Sequence, residues 1–283
     1  MKKRTARRGY AGGPHPVRQA FSLVELSIVL VILGLLVGGV LSGQALIHAA
    51  ELRAVTEEYQ RYTTAIQTFR GKYFFYPGDM VNAVKFWGAA AGGTADGFDS
   101  TCQNVTTPAV GTETCNGDGD GVMAADLSEP WRAWQQLANA GLIEGKYWGV
   151  TGPDNAVHPE AVIGSNVPKS RMNNAGWTFS EPYDYNGNAG FYDPPGTLYT
   201  DVPVRRNALI FGSANDGFGY NYTIGGILKP EDAYNIDTKM DDGKATTGSI
   251  TAIDYLSACI NVGSYALSTT DPVCSLIFYN GFQ

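Results

Sequence analysis

An apolar run near the start of the chain limits its fold more than any other feature. From Phe21 to Ile47 the sequence FSLVELSIVLVILGLLVGGVLSGQALI contains no basic residue and a single acidic one, Glu25. At about 1.5 Å per residue, a helix of this length can cross a hydrocarbon core of about 30 Å. Six basic residues precede the run: Lys2, Lys3, Arg4, Arg7, Arg8 and Arg18. The positive-inside rule therefore keeps residues 1–20 in the cytoplasm and sends the bulk of the chain across the membrane.

Glu25 is out of place in such a segment. A carboxylate in the bilayer costs about 2.5–3.5 kcal/mol on insertion scales, so it needs a cationic partner, and the run itself contains none. A cut between Ala20 and Phe21 would create an α-amine four residues from Glu25. That amine could neutralise the carboxylate in the same chain or in a neighbour packed alongside.

The basic leader, the small residue Ala20 and the sequence FSLVELSIVLVILGLL closely resemble the prepilin signal of type IV pilins and type II secretion pseudopilins. The resemblance covers residues 18–45, with Ala20 where the family usually has Gly. It implies cleavage before Phe21 by a prepilin peptidase, N-methylation of Phe21, and contact of Glu25 with the Phe21 amine of an adjacent subunit.

The same resemblance implies partners and a location. The partners are a homo- or hetero-polymer with other pilins, the prepilin peptidase, an assembly ATPase and an inner-membrane platform protein. The location is the bacterial inner membrane, with one membrane pass and a periplasmic head, and in the filament the periplasm or the cell surface. The spacing G-x-x-x-G, at Gly34–Gly38 and Gly39–Gly43, would allow close helix packing in a filament core.

A second pattern follows the apolar run. Apolar residues recur every three or four positions, which puts them on one helix face and leaves Glu51, Arg53, Glu57, Glu58, Gln60 and Arg61 largely on the others. The stripe consists of Leu52, Val55, Tyr59, Tyr62, Ile66, Phe69 and Tyr73. We therefore expect a leader over 1–20, a helix over 21–76 (membrane-spanning to about 47, amphipathic over about 48–73) and a globular head over 77–283. Gly71, Pro77 and Gly78 are expected to end the helix.

The head has the signals of an α+β fold. Short helices are predicted in YPGDMVNAVKFW, capped by Asp79, in SEPWRAWQQLANAGLI, capped by Ser128 and stopped by Gly141, and in KPEDAYNIDTKMDDG. Strands are predicted over 207–213, 218–228, 248–255 and 275–281, and loops with edge strands over 149–206. The fold class is thus α+β: a long N-terminal helix packed on an antiparallel sheet, with short helices and disulfide-closed loops.

Four cysteines, Cys102, Cys115, Cys259 and Cys274, allow three disulfide pairings. The two local pairings, Cys102–Cys115 and Cys259–Cys274, would each close a short polar loop. A zinc site is disfavoured because no pair has the C-x₂₋₄-C spacing. Disulfides would place the head in an oxidising compartment.

Calcium is the one cofactor that the sequence suggests. The stretch NGDGDG places oxygen ligands at Asn116, Asp118 and Asp120, as in the first half of an EF-hand loop, with Asp126 or Glu129 as a closing acid. An acidic turn without metal is the alternative. Asp237, Asp241 and Asp242 form a second acidic group, for which a solvated helix end is the commoner explanation.

Other functions are disfavoured by charge and by missing motifs. Beyond the leader, 14 basic residues stand against 27 acidic ones, a net charge of −13, so no nucleic acid is expected as a partner. No nucleophile elbow, zinc-protease or Walker motif occurs, so we do not expect an enzyme. The sequence predicts a structural subunit of a type IV pilus-like or type II secretion pseudopilus filament. The alternative is a membrane-anchored periplasmic binding module that does not polymerise.

Overall fold

The computed structural model describes residues 22–90, 102, 107–123, 128–152, 160–181, 207–214, 222–253 and 258–279. The chain divides into two compact units, Met1–His48 and Ala49–Gln283. The helices are α1 (Leu23–Tyr73), α2 (Val84–Trp87), α3 (Glu129–Asn139) and α4 (Pro230–Met240). The strands are β1 (Gly176–Ser180), β2 (Ala208–Gly212), β3 (Ile250–Ile253), β4 (Ile260–Asn261), β5 (Ser264–Tyr265) and β6 (Ser275–Phe278).

Helix α1 is unbroken, and no proline occurs between Phe21 and Tyr76. The predicted end was wrong in detail: Gly71 lies inside the helix, and residues 74–76 lie beyond it. The residue after the last turn, where glycine is usual, is Phe74 with a φ of 67°.

The central sheet has four antiparallel strands in the order β1-β2-β6-β3. All residues in these strands are buried, so both faces of the sheet are covered. Strands β4 and β5 form a separate hairpin. The α+β fold class and the strands predicted around 208–212, 250–253 and 275–278 are confirmed, and β1 lies at the edge of the sheet.

The apolar stripe of α1 packs on this sheet as its spacing predicts. Its five central members, Val55, Tyr59, Tyr62, Ile66 and Phe69, are buried. The Tyr59 ring stacks on Phe278 of β6 with the ring centroids 4.7 Å apart. Tyr62 meets Trp134 of α3 edge-on at 5.0 Å, so α1, α3 and the sheet share one core.

The strand predicted over 218–228 was wrong for its described part, 222–228, where only isolated bridges occur, Ser213 with Gly225 and Leu228 with Cys274. This segment lies close to its neighbour at Gly226, where a Cβ would be 2.6 Å from the Val273 backbone.

Both disulfides join local pairs. Cys102–Cys115 has a Cα–Cα distance of 5.7 Å, and Cys259–Cys274 one of 5.1 Å. All four residues are buried. Of the three pairings that the sequence allows, the structure contains the local one.

Candidate functional site

The start of α1 is organised around Glu25. Its carboxylate Oε2 accepts the backbone N–H of Ser22 at 2.9 Å, and the Ser22 Oγ accepts the N–H of Val24 at 3.3 Å. The Glu25 half of an S-x-x-E capping box is formed, while the Ser22 hydroxyl binds the N–H of Val24, one residue before the position usual in that box. Glu25 therefore has a local role in holding the helix start, and its negative charge lies at the positive end of the helix dipole.

Ala20 and Phe21, the residues of the predicted cut and methylation, lie outside the described residues. Cleavage, methylation and the contact of Glu25 with an amine stay predictions. The geometry places the Glu25 carboxylate on the backbone N–H of the residue next to Phe21.

The first half of α1 is exposed within the described part of the chain. Large apolar side chains from Leu23 to Ile47 are exposed around the whole helix. Within the described residues, α1 is the one helix long and apolar enough to cross a membrane. Exposure on all sides suits a hydrocarbon solvent or neighbouring helices, and both agree with membrane anchoring.

The contact with the start of α2 that was predicted for Asp79 is made by Asn116 in the structure. Asp79 does not cap α2. Instead, the Asn116 Oδ1 accepts the N–H of Val84, the first residue of α2, at 2.9 Å. Both Asp79 carboxylate oxygens accept backbone N–H groups of the NGDGDG loop, from Gly119 at 2.6 Å and Gly121 at 3.0 Å. The two segments thus hold each other in place across some 40 positions of sequence.

Three carboxylates converge here, and they are only partly those predicted. Asp79, Asp118 and Glu129 have oxygens within 4.8 Å of one another, and Glu129 Oε1 also accepts the N–H of Asp118 at 3.3 Å. Asp120 is not in this group; its Oδ1 accepts the N–H of Val122. Asp126 lies outside the described residues. Calcium binding stays a prediction, now with Asp79 and Glu129 beside Asp118.

The pKa of Asp79 is raised to about 7, chiefly by burial and to a smaller extent by the nearby carboxylates of Asp118 and Asp120. The hydrogen bonds from Gly119 and Gly121 act in the opposite direction, because they favour the charged form. A cation bound beside Asp79 would lower this pKa, since it would stabilise the carboxylate.

The second acidic group is tied to the backbone around it. Asp241 Oδ2 accepts the N–H groups of Ser249 and Ile250, where β3 begins. Asp237 Oδ2 accepts the hydroxyl of Tyr265 at 2.8 Å, which attaches the β4–β5 hairpin to α4. Burial raises the pKa of Asp237 to about 6. These bonds give the group a structural role without metal.

Glu58 is a residue whose position the sequence pattern misassigned. We expected it on an outer face of α1, but it is buried. Its carboxylate accepts the indole N–H of Trp177 at 2.9 Å and the backbone N–H of Arg171 at 2.8 Å, while Arg171 Nε lies 3.5 Å away. The sequence carries no signal for this, because both partners lie more than 110 positions away.

Comparison with known proteins agrees with the N-terminal geometry. Residues 16–41 match the family described as the prokaryotic N-terminal methylation motif. No curated protein and no solved structure matches the chain. The motif belongs to a structural, pilin-type class and marks a substrate of prepilin peptidase. The chain therefore carries, at residues 16–41, the prepilin signal of type IV pilins and pseudopilins.

Proposed function

We propose that this protein is a filament subunit, of a type IV pilus or of a type II secretion pseudopilus. The observation that carries the proposal is the methylation motif at the start of a 51-residue helix whose first half is apolar and exposed on all sides. Such a surface is stable in a membrane and, after extraction, only in a bundle of similar helices. The mechanism is assembly rather than turnover.

In this proposal the chain is inserted in the inner membrane, with its head in the periplasm. Prepilin peptidase cuts between Ala20 and Phe21, and Phe21 is methylated. The platform protein and the assembly ATPase then move subunits into the filament. Glu25 exchanges the N–H of Ser22 in its own chain for the Phe21 amine of a neighbour, and this contact sets the axial register.

N-terminal sequencing and mass spectrometry of the mature protein test the processing step. We expect a chain that starts at N-methylated Phe21. A chain that starts at Met1 would overturn the assignment, because the amine that Glu25 requires would then not exist beside it.

Two substitutions at Glu25 test the assembly step. Glu25→Gln keeps an oxygen that can accept the N–H of Ser22, so the helix cap is preserved while the charge is lost. Glu25→Leu removes both. We expect both variants to insert in the membrane. We expect neither to form filaments that can be recovered by shearing the cells. Ser27→Ala is the matched control and should assemble normally. It removes a hydroxyl from the same turn that donates a hydrogen bond to the Val24 carbonyl.

The outcome for Glu25→Gln separates the two roles of the carboxylate. Normal assembly of Glu25→Gln with loss in Glu25→Leu would mean that the acid acts only as a helix cap. Normal assembly of both variants would contradict the filament mechanism and favour a membrane-anchored binding module.

A further inference from the structure

Two exposed apolar residues of the head lie in backbone conformations that apolar side chains avoid. Phe74 has a φ of 67° and is 85% exposed, and Val262 has a φ of 48° and is 98% exposed. Glycine would relieve the strain at both positions, and it would also remove the exposed apolar surface. A bulky apolar residue that is both strained and exposed indicates that its side chain contacts another molecule.

Phe74 directly follows Tyr73 of an aromatic cluster that includes Phe86 and Trp87. We call this cluster, with the sequence neighbours Lys72, Phe74 and Lys85, the aromatic surface. The Tyr73 ring lies 5.2 Å from Phe86 and 5.6 Å from Trp87, and the ammonium of Lys72 lies 5.0 Å from its centroid. Phe86 is 56% exposed. Residues 70–88 contain three basic residues and one acidic residue.

Val262 is at the tip of the β4–β5 hairpin, beside the acidic end of α4. The two residues of its turn, Val262 and Gly263, both have positive φ, as a type I′ turn requires. The hairpin is fixed to α4 by the bond from Tyr265 to Asp237, and to the following loop by the bond from the Thr246 hydroxyl to the Gly263 carbonyl at 3.4 Å. On the surface of residues 230–247, Glu231 and Asp242 are exposed and Asp241 is half-buried, beside the exposed Lys239 and Lys244, whereas Asp232 and Asp237 are buried.

We propose that the aromatic surface of one copy binds the Val262 hairpin tip and the adjoining acidic segment of the next copy. Each surface offers exposed apolar area, and their charges are opposite. Pairing of the aromatic surface with itself would bring like charges together, which disfavours a two-fold dimer. A contact between two different surfaces is heterologous, and it continues from copy to copy as an open assembly. This inference rests on the proposed filament and names a contact between its heads.

Cysteine cross-linking in cells tests the contact directly on the full-length protein. A chain with Phe74→Cys and Val262→Cys together should form a ladder of disulfide-linked oligomers in an oxidising compartment. Each single variant should give no ladder. The matched control is Phe74→Cys with Val110→Cys, because Val110 is also apolar and 89% exposed. We expect no ladder from it.

The glycine variants give a second readout. Phe74→Gly and Val262→Gly should each raise the melting temperature of the purified protein, because strain is relieved. Each should nevertheless lower filament yield about tenfold, as for loss of one apolar anchor. Lys72→Glu should lower the yield as well, and Asp242→Lys in the same chain should restore it.

The outcomes distinguish this contact from the filament itself. Filaments without a ladder, or an equal ladder from the Val110 control, would overturn the contact and leave the filament proposal intact. Unchanged filament yield in both glycine variants would also overturn it. Absence of filaments from the unmodified chain would instead contradict the proposed function.

Discussion

The two halves of helix α1 differ in burial. From Leu23 to Ile47 the helix is apolar around its whole circumference, and its large side chains are exposed. From Ala54 to Phe69 one face is buried, while Arg53, Glu57 and Gln60 are exposed on the others. The helix backbone is continuous through both halves.

The difference shows that the periodicity of the sequence, more than its mean apolarity, reports what surrounds a helix. An apolar surface without a period suits an apolar environment on all sides. A stripe with a spacing of three and four suits a helix with one side on a core and one in water. Substitutions of the same kind in the two halves should therefore have different consequences.

The largest difference is expected from truncation of a large side chain. Phe69→Ala removes a ring that is fully buried in the head core, which costs about 3–5 kcal/mol in the free energy of unfolding. Leu33→Ala, in the exposed half, should leave head unfolding unchanged. Near-UV circular dichroism of the full-length protein in detergent during a urea titration measures both. Equal losses would mean that the two halves do not differ in this way.

Two adjacent acids in the second half of α1 differ in burial. Glu58→Ala leaves the buried indole N–H of Trp177 without its acceptor, at a cost of about 1–3 kcal/mol, and also removes the part-buried bond from the Arg171 N–H. Glu57 pairs with Arg171 and Arg53 at the surface, so Glu57→Ala should have a far smaller effect. Urea midpoints of the two variants provide the test. A larger loss for Glu57→Ala would contradict the burial of Glu58.

The pH dependence of stability offers a further test in the head. Burial raises the pKa of Asp237 to about 6 from an ordinary value of 3.8, so the folded state favours the protonated form. Its contribution to stability is fully present below about 3.8 and is lost as the pH rises through about 6. Asp237→Asn cannot ionise. Between pH 4 and 7 the urea midpoint of the variant should therefore fall less than that of the unmodified protein, and an equal fall would refute the raised pKa.

Local patterns predicted much of the fold. The stripe of α1, the helix that begins at Pro230 and the strands around Ile210, Ile250 and Ile277 follow from spacing and composition. The prepilin signal was identified from residues 18–45 because its chemistry is contained in one continuous segment. In each case the information lies within a few turns or a few strand positions.

Contacts between distant segments could not be predicted. Glu58 is buried because Trp177 and Arg171 provide donors from another part of the fold. Asp79 accepts N–H groups of the NGDGDG loop, and Asn116, more than 30 positions from α2, accepts the N–H of Val84. The expectation that a glycine ends α1 was also wrong. The left-handed conformation after the last turn is adopted by Phe74, and not by Gly71 or Gly78.

Glycine-to-alanine substitutions in the two halves of α1 should have small effects that differ in kind. Gly71 and Gly34 both lie inside α1, and a Cβ at either position meets nothing within 4 Å. Gly71→Ala should stabilise the head by about 0.5–1 kcal/mol, because alanine loses less backbone entropy in a helix. Gly34→Ala should leave the urea midpoint of the head unchanged. It should instead reduce the yield of filaments recovered by shearing, since the G-x-x-x-G spacing allows close approach of helices. Unchanged yield would mean that Gly34 is not at a helix–helix contact.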